Sequence, residues 1–395
     1  MKVVILNWKD GENDPFSVMN DALKAHLQAC GKNVEILEIY DTDWIDRIVA
    51  MMPEGVEYVL TWQGFASFIN IPDTEQNLWD VLRIPLVCLH GDHPSHMPMN
   101  HRLESRYCYH IYLDAEFARY SNAHFRRVRG AMAISWPQIF RETPLSKIEG
   151  DFFVIAKNID DPVDTENGWK QRLPKNVFDA FMATGETLRS QLKQPSYVDT
   201  HAVLDALIKD RDWDWFDPVS NSDVYHYVHS QMDLYARNYK SILALTSIPE
   251  FPVRVYGRGW DRIAKNASSN HVFHPGRNMS DSQPLFYSRY GLIDISPAKV
   301  LHDRTLRAMA NRTAFISNAS LEADFFGLDR YDGLFYSPGA QDLAEKCAEI
   351  VDAPEVHLEL ARDFAERYQD RFHVKGFANQ LDLLVNSARF LEAGA

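Results

Sequence analysis

The 395-residue chain carries only four cysteines, Cys30, Cys88, Cys108 and Cys347, and no two of them form a C-x-x-C pair. That spacing argues against a zinc ribbon or a disulfide scaffold, and the apolar neighbours of each sulfur point to free thiols in a reducing compartment. No apolar run approaches the ~20 residues needed to cross a bilayer, and "MKVVILNWKD" turns polar too soon for a signal peptide. A cytoplasmic protein without a membrane span is expected. Basic residues are scarce: 41 Lys and Arg stand against 55 Asp and Glu, a net charge of −14. Affinity for duplex phosphates needs a basic stripe, and the one dense basic run, "HFRRVRG" (124–130), is short. No polymeric nucleic acid is expected as a partner, which leaves room only for a small anion in a local basic pocket. A solenoid-period repeat, a low-complexity tract and a G-x-G-x-x-G fingerprint are also missing.

What is present is a strict alternation. "KVVIL" (2–6), "NVEILEI" (33–39), "VEYVLTW" (56–62) and "IPLVCLH" (84–90) are short apolar runs of the kind that make parallel strands covered on both faces. Helical patterns separate them, the first running from Pro15 to Cys30 and stopped by Gly31. "YHIYLD" (109–114) and "GAMAISW" (130–136) extend the series. This order predicts a doubly wound α/β domain. A second start at "DFFVIAKNI" (151–159) opens another α/β half, with strands at "FPVRVYGRGWD" (251–261), "YGLIDIS" (290–296), "TAFISN" (313–318) and "GLFYS" (333–337). A helical insertion over about 174–245 interrupts it, and "DLAEKCAEIVDAPEVHLELARDFAERYQDRF" reads as an amphipathic helix. Two doubly wound domains facing each other would form a ligand cleft, with chemistry beyond the carboxyl ends of the strands.

Two stretches lie at such strand ends. "HGDHPSH" (90–96) places His90, Asp92, His93 and His96 after one strand. Three readings compete: a metal site, which needs three or four ligands in reach; a general base at a strand tip; or a solvated loop. "VYGRGW" (255–260) brackets Arg258 with Gly257 and Gly259, a tight turn that lets backbone approach a ligand and offers a guanidinium to phosphate; an ordinary glycine turn is the simpler reading. Further on, "PAKVLHDR" precedes the helix "TLRAMA", which puts His302 and Arg304 at a helix N-terminus, where backbone N–H groups and the dipole favour an anion.

Together, "VYGRGWD", "FHPGR", "LFYSRYGLIDISP" and "HDRTLRAMANRTAFISN" resemble the C-terminal half of CgeB-like (spore-maturation-protein-like) glycosyltransferases, and "FHVKGFANQLDLLV" (372–385) is similar to the family's terminal helix. The resemblance covers roughly residues 250–385, and "HGDHP" resembles a loop of the family's N-terminal half. Arg307 stands where the family usually has a Glu, and Asn311 and Arg312 replace its helix-ending glycine.

The resemblance implies a GT-B-like fold of two Rossmann-like domains, set at 1–148 (acceptor side) and 149–373 (donor side), with a C-terminal helix over 374–395 packing back toward the first. It implies a glycosyltransferase acting on a nucleotide-sugar donor, with Gly257, Arg258 and Gly259 lining the donor side and Arg304 meeting the diphosphate; His302 and Arg277 are further candidates for the diphosphate. Attack by an acceptor hydroxyl is helped by a base. Asp92, with His90 or His93 taking or orienting that role, is the candidate, and the loop from Asp10 to Asp14 is expected to close over the same cleft. Arginines and a helix N-terminus can stabilise the leaving diphosphate, so no metal or other cofactor is required. The acceptor, whether glycan, protein or small molecule, is not legible. Two alternatives stand beside this reading: a nucleotide- or sugar-binding protein without turnover, and a metal-dependent hydrolase using the His90–His96 loop.

Overall fold

The structure, a computed structural model, describes residues 2–8, 15–102, 105–125, 130–213, 216, 222–276, 283–296, 301–318 and 330–393. The chain divides into two compact units, one of residues 1–139 with 369–395 and a second of residues 140–368.

In the first unit the apolar runs are strands β1 (Lys2–Asn7), β2 (Asn33–Glu38), β3 (Val56–Trp62), β4 (Leu86–His90), β5 (Cys108–Tyr112) and β6 (Met132–Ala133). They form one parallel sheet in the order β2-β1-β3-β4-β5-β6. All seven residues of β3 and all five of β4 are buried, as parallel strands covered on both faces require. On one face Val3, Ile5, Leu60 and Val87 pack with Leu23 and Leu27 of helix α1 (Pro15–Ala29) and with Phe377, Leu381 and Val385 of the last helix, Val374–Ala393. On the other, Val4, Val59 and Leu86 meet Trp44, Ile48 and Trp79. The stretch 130–136 contributes only the two exposed residues of β6, an edge strand.

The second unit holds β7 (Phe153–Ala156), β8 (Val253–Tyr256), β9 (His271–His274), β10 (Gly291–Asp294), β11 (Phe315–Asn318) and β12 (Phe335–Tyr336), parallel in the order β12-β11-β10-β7-β8-β9. The helical insertion separates β7 from β8 and comprises Pro162–Arg172, Lys175–Gln191, Thr200–Asp210 and Ser222–Thr246. Trp169, Phe181, Leu188, Leu204, Phe216 and Tyr235 give it a core of its own. The amphipathic stretch expected as one helix is two, Leu343–Asp352 and Pro354–Phe372. Pro354 disfavours the α conformation at the residue before it, and Ala353 accordingly adopts φ −140°, ψ 61°. No helix among the described residues is long and apolar enough to cross a membrane.

The last helix is therefore part of the first unit's core. Leu381→Ala, at a fully buried position, should cost about 2–5 kcal/mol, read as a lowered midpoint in denaturant unfolding. Leu383→Ala on the exposed face should stay within about 0.5 kcal/mol.

Candidate functional site

The order in which strands are added to the second sheet reverses between β7 and β10. These two strands are neighbours, yet the chain continues to β8 on one side and to β11 on the other. Such a switch point leaves a crevice beyond the carboxyl ends of the two strands. Lys157, Asn158 and Ile159 follow β7, and Ile295 and Ser296 follow β10, whose last residue is Asp294.

Asp294 is fully buried. Its carboxylate accepts from Arg304 Nε at 2.9 Å and from Thr305 Oγ1 at 2.7 Å. Both donors lie in the first turn of the helix Asp303–Asn311, so the carboxylate anchors that helix start beside the strand end. His302 is the N-cap, its Nδ1 accepting from the Arg304 N–H at 3.4 Å. An accepting nitrogen must be unprotonated. Burial, then the charges of Arg304, Lys157, Arg307 and Arg237, push this imidazole well below its ordinary value, which keeps it neutral.

Lys157 is half-buried. Burial, with Arg304 and Arg237 adding repulsion, lowers its ammonium to about 7, against the opposing pull of Asp294 and Asp233. Arg237 is itself paired to Asp233 at 2.6 Å on the helix Ser222–Thr246. Arg304 Nη2 is buried without a hydrogen-bond partner among the described residues. Cations therefore crowd this crevice, partly offset by Asp294 and Asp233, and one guanidinium nitrogen keeps an unmet donor; such surroundings favour an anion.

The glycine turn serves this loop. A Cβ on Gly257 would lie 1.9 Å from the Lys157 carbonyl oxygen. At Gly259, with φ +87°, it would lie 1.7 Å from the oxygen of Ile159. Trp260 Nε1 donates to the Lys157 oxygen at 2.7 Å, and the Arg258 N–H donates to Asn158 Oδ1 at 2.9 Å. Both glycines thus let one loop lie directly on the other, while the Arg258 side chain is exposed. Gly259 also borders a cavity of about 430 Å³ lined by Asp160, Asp161, Asp164 and Asp261 against Arg172 and Arg262. Its excess of carboxylates suits a phosphate less well than the Lys157–Arg304 pair does.

His302, Arg304 and the glycine turn accordingly meet around Lys157, whereas Arg277 and the Asp10–Asp14 loop lie outside the described residues. Lys157, Asp294 and Arg237 escaped the sequence reading. The available signal was a single charged residue closing an apolar strand in "FFVIAK" and "GLID". Arg307 pairs with Asp303 Oδ2 at 2.6 Å on its own helix. Arg312, in place of a glycine, closes that helix at φ +56°.

In the first unit, the loop after β4 is ordered by polar contacts. Gln63, at φ +53° just beyond β3, donates through Nε2 to Asp92 Oδ2 at 3.0 Å and accepts the Gly91 N–H at 3.3 Å. Asp92 is half-buried. His90 and His93 are both 2% exposed. His90 Nε2 lies 2.9 Å from His110 Nδ1. His93 caps the short turn Pro94–His96 through Nδ1, and its ring packs on Phe117 and Tyr120. Of the three residues, Asp92 is the one whose side chain is partly open to solvent.

No protein-family model matches the chain, and no curated protein matches it. Solved structures do. Sucrose-phosphate synthase from Thermosynechococcus elongatus aligns with a TM-score of 0.57 at 10% identity, covering all of both chains. Anabaena HepE in complex with UDP-glucose gives 0.52 at 12% identity, over 98% of this chain and 100% of its own. T4 phage BGT in complex with UDP and Mn2+ gives 0.50 at 10%, over 98% and 99%. At such identities the likeness concerns the fold. Two six-stranded parallel sheets with flanking helices make this a GT-B fold, as expected from the sequence. The narrower CgeB-like assignment rests on the sequence motifs alone.

Gly259→Ala should be more damaging than an ordinary surface change, because it adds a methyl group 1.7 Å from a backbone oxygen at a positive φ. A loss of roughly 2 kcal/mol or more is expected, read as a fall in melting temperature, whereas Gly31→Ala has the same φ problem with nothing within 4 Å of the new methyl and should lose about 1 kcal/mol.

Proposed function

We propose that the chain is a glycosyltransferase that moves a sugar from a nucleoside diphosphate sugar to an acceptor hydroxyl. The observation that carries this reading is the pair of cations at the switch point of the second sheet: Arg304 with its buried, unmet Nη2, and Lys157 with its lowered ammonium. The solved neighbours that hold UDP-glucose and UDP add support from the same fold.

In this mechanism the donor diphosphate sits on Lys157, Arg304 and the N-terminal N–H groups of the helix Asp303–Asn311. Negative charge grows on the diphosphate as the glycosidic bond breaks, so donors already in place stabilise the transition state more than the ground state. The protein's own cations do that work, and no metal is needed at this step. Asp294 holds Arg304 in position rather than touching substrate. On the acceptor side Asp92 takes the proton of the attacking hydroxyl, oriented by Gln63, with His93 capping the turn after it and His90 tied to His110 at the strand end before it. Gly257 and Gly259 shape the Lys157 loop, and Arg258 and Arg277 are further donor-side contacts.

A calorimetric panel of nucleoside mono- and diphosphates and nucleotide sugars, with and without EDTA, tests the reading. One diphosphate should bind without metal, and Arg304→Ala should weaken it by about 10- to 100-fold, the worth of a charge-assisted contact. Asp92→Asn should leave donor affinity unchanged and lower turnover by about 10²–10⁴-fold. Donor binding without transfer or donor hydrolysis by the unmodified protein would favour a binding protein without turnover, and no nucleotide binding at all would refute the reading.

A further inference from the structure

Parallel strands buried on both faces normally carry unbroken apolar residues. Two strands of the first unit depart from this at one spot. Cys88 and His90, two apart on β4, point to the same face of the sheet, and His110 on β5 is registered beside Cys88. Cys88 is 0% exposed, His90 2% and His110 5%. One ligand atom from each lies within 4.8 Å of the other two, and His90 Nε2 and His110 Nδ1 are 2.9 Å apart.

Tetrahedral bonds of about 2.0–2.3 Å to nitrogen and sulfur place ligand atoms roughly 3.3–3.7 Å from one another. The trio stands about an ångström from that spacing, so small side-chain rotations suffice. The surroundings leave the His90 ring little room to turn away. Gly64, at φ +68°, comes so close that a Cβ there would lie 2.7 Å from His90 Cε1. The His101 ring packs at 4.5 Å between centroids, and His101 Nδ1 is in turn 2.8 Å from the Tyr112 hydroxyl, which lies 2.9 Å from Ser121 Oγ. These neighbours hold the His90 ring by packing, with the His101 ring fixed in turn by its own hydrogen bonds.

We propose that the first unit binds one zinc-type divalent cation through Cys88 Sγ, His90 Nε2 and His110 Nδ1, and that the ion clamps the end of β4 to β5. A thiolate with two imidazoles selects zinc or cobalt over magnesium, calcium or manganese, which prefer oxygen. Among the described His, Cys, Asp and Glu residues no fourth joins the group, which leaves one position for a water. The proton count closes. The Cys88 thiol releases one proton to solvent. The ring that donates in the His90–His110 hydrogen bond moves that proton to its other nitrogen, so both imidazoles stay neutral and one proton leaves per ion bound. The clamp lies two residues before Asp92, but the proposal does not depend on the transfer reading.

The test uses the full chain, stripped with a chelator and titrated with Co(II) and then Zn(II). One ion per chain is expected. Cobalt should give a thiolate charge-transfer band in the near ultraviolet with tetrahedral absorption in the visible, and equimolar zinc should displace both. Cys88→Ser should abolish the charge-transfer band and weaken binding by at least about tenfold, while Cys30→Ser, at an exposed thiol of the same unit, should leave the band intact. If the folded, unmodified protein shows no such band, or binds the ion equally well as Cys88→Ser, the proposal is overturned. Because the unmodified protein supplies the decisive spectrum, a variant that fails to fold does not blunt the test. Donor binding that persists after chelation separates this outcome from failure of the transfer reading.

Discussion

The buried carboxylate of Asp294 is the interaction on which the second unit's switch-point crevice depends. A fully buried charge is tolerated only when it is paired and hydrogen-bonded, and here the partners are Arg304 and Thr305 from one helix turn. The same residue's carbonyl oxygen accepts from the Tyr336 hydroxyl on β12 at 2.9 Å. Burial, then the charge of Asp294, pushes that phenol well above its usual value, so it remains a donor. One residue thus fixes the end of β10, the start of a helix and the end of the edge strand. It also sets the charge balance. Asp294 offsets part of the repulsion between Arg304 and Lys157 without supplying enough negative charge to keep Lys157 fully protonated at neutral pH.

The first unit uses the carboxyl ends of its strands in a similar way, with amides and imidazoles linking them and carboxylates of Glu38 and Asp92 at the margins. Asn7 at the end of β1 accepts from Asn20, which accepts from Trp62 Nε1 at the end of β3. Gln63, one residue further, holds the Gly91–Asp92 turn. His90, at the end of β4, is tied to His110. Polar side chains follow apolar strands in both sheets because a strand end is where the covering helices stop. Groups placed there can be held by neighbouring strands and still reach a ligand.

Most strands of both units are legible because continuous apolar runs such as "KVVIL" and "VEYVLTW" have one common use, whereas β9, "HVFH", is too short and too polar to stand out. The order of the strands in the sheets is not legible, since adjacency of β7 and β10 comes from pairing across more than a hundred residues, with a helical insertion between. For the same reason Lys157 and Asp294 looked like strand terminators, and only the sheet order puts them side by side. His302 and Arg304 could be read locally, because a helix start is a local event. The glycines of "VYGRGW" were recognised as a tight turn, but their need is set by the Lys157 and Ile159 oxygens, more than ninety residues away in sequence. The break at Pro354 was present in the sequence as a proline inside a helical pattern, and there local chemistry overrode amphipathic periodicity.

The central claim is that Lys157 and Arg304 form a site for the diphosphate of a nucleotide sugar. Lys157, with its ammonium lowered to about 7, is roughly one-tenth protonated at about pH 8. A diphosphate beside it raises that value, so binding must draw a proton from solvent. The uptake should fade toward about pH 6, where the lysine is already charged. A nucleotide sugar has no phosphate group that titrates in this range, so the proton is the protein's own. Isothermal calorimetry at about pH 8, in two buffers of different ionisation enthalpy, measures this directly for the best binder of a panel beginning with UDP-glucose. The account predicts uptake of most of one proton, lost in Lys157→Met. Tight binding with no proton uptake, unchanged in Lys157→Met, would contradict it.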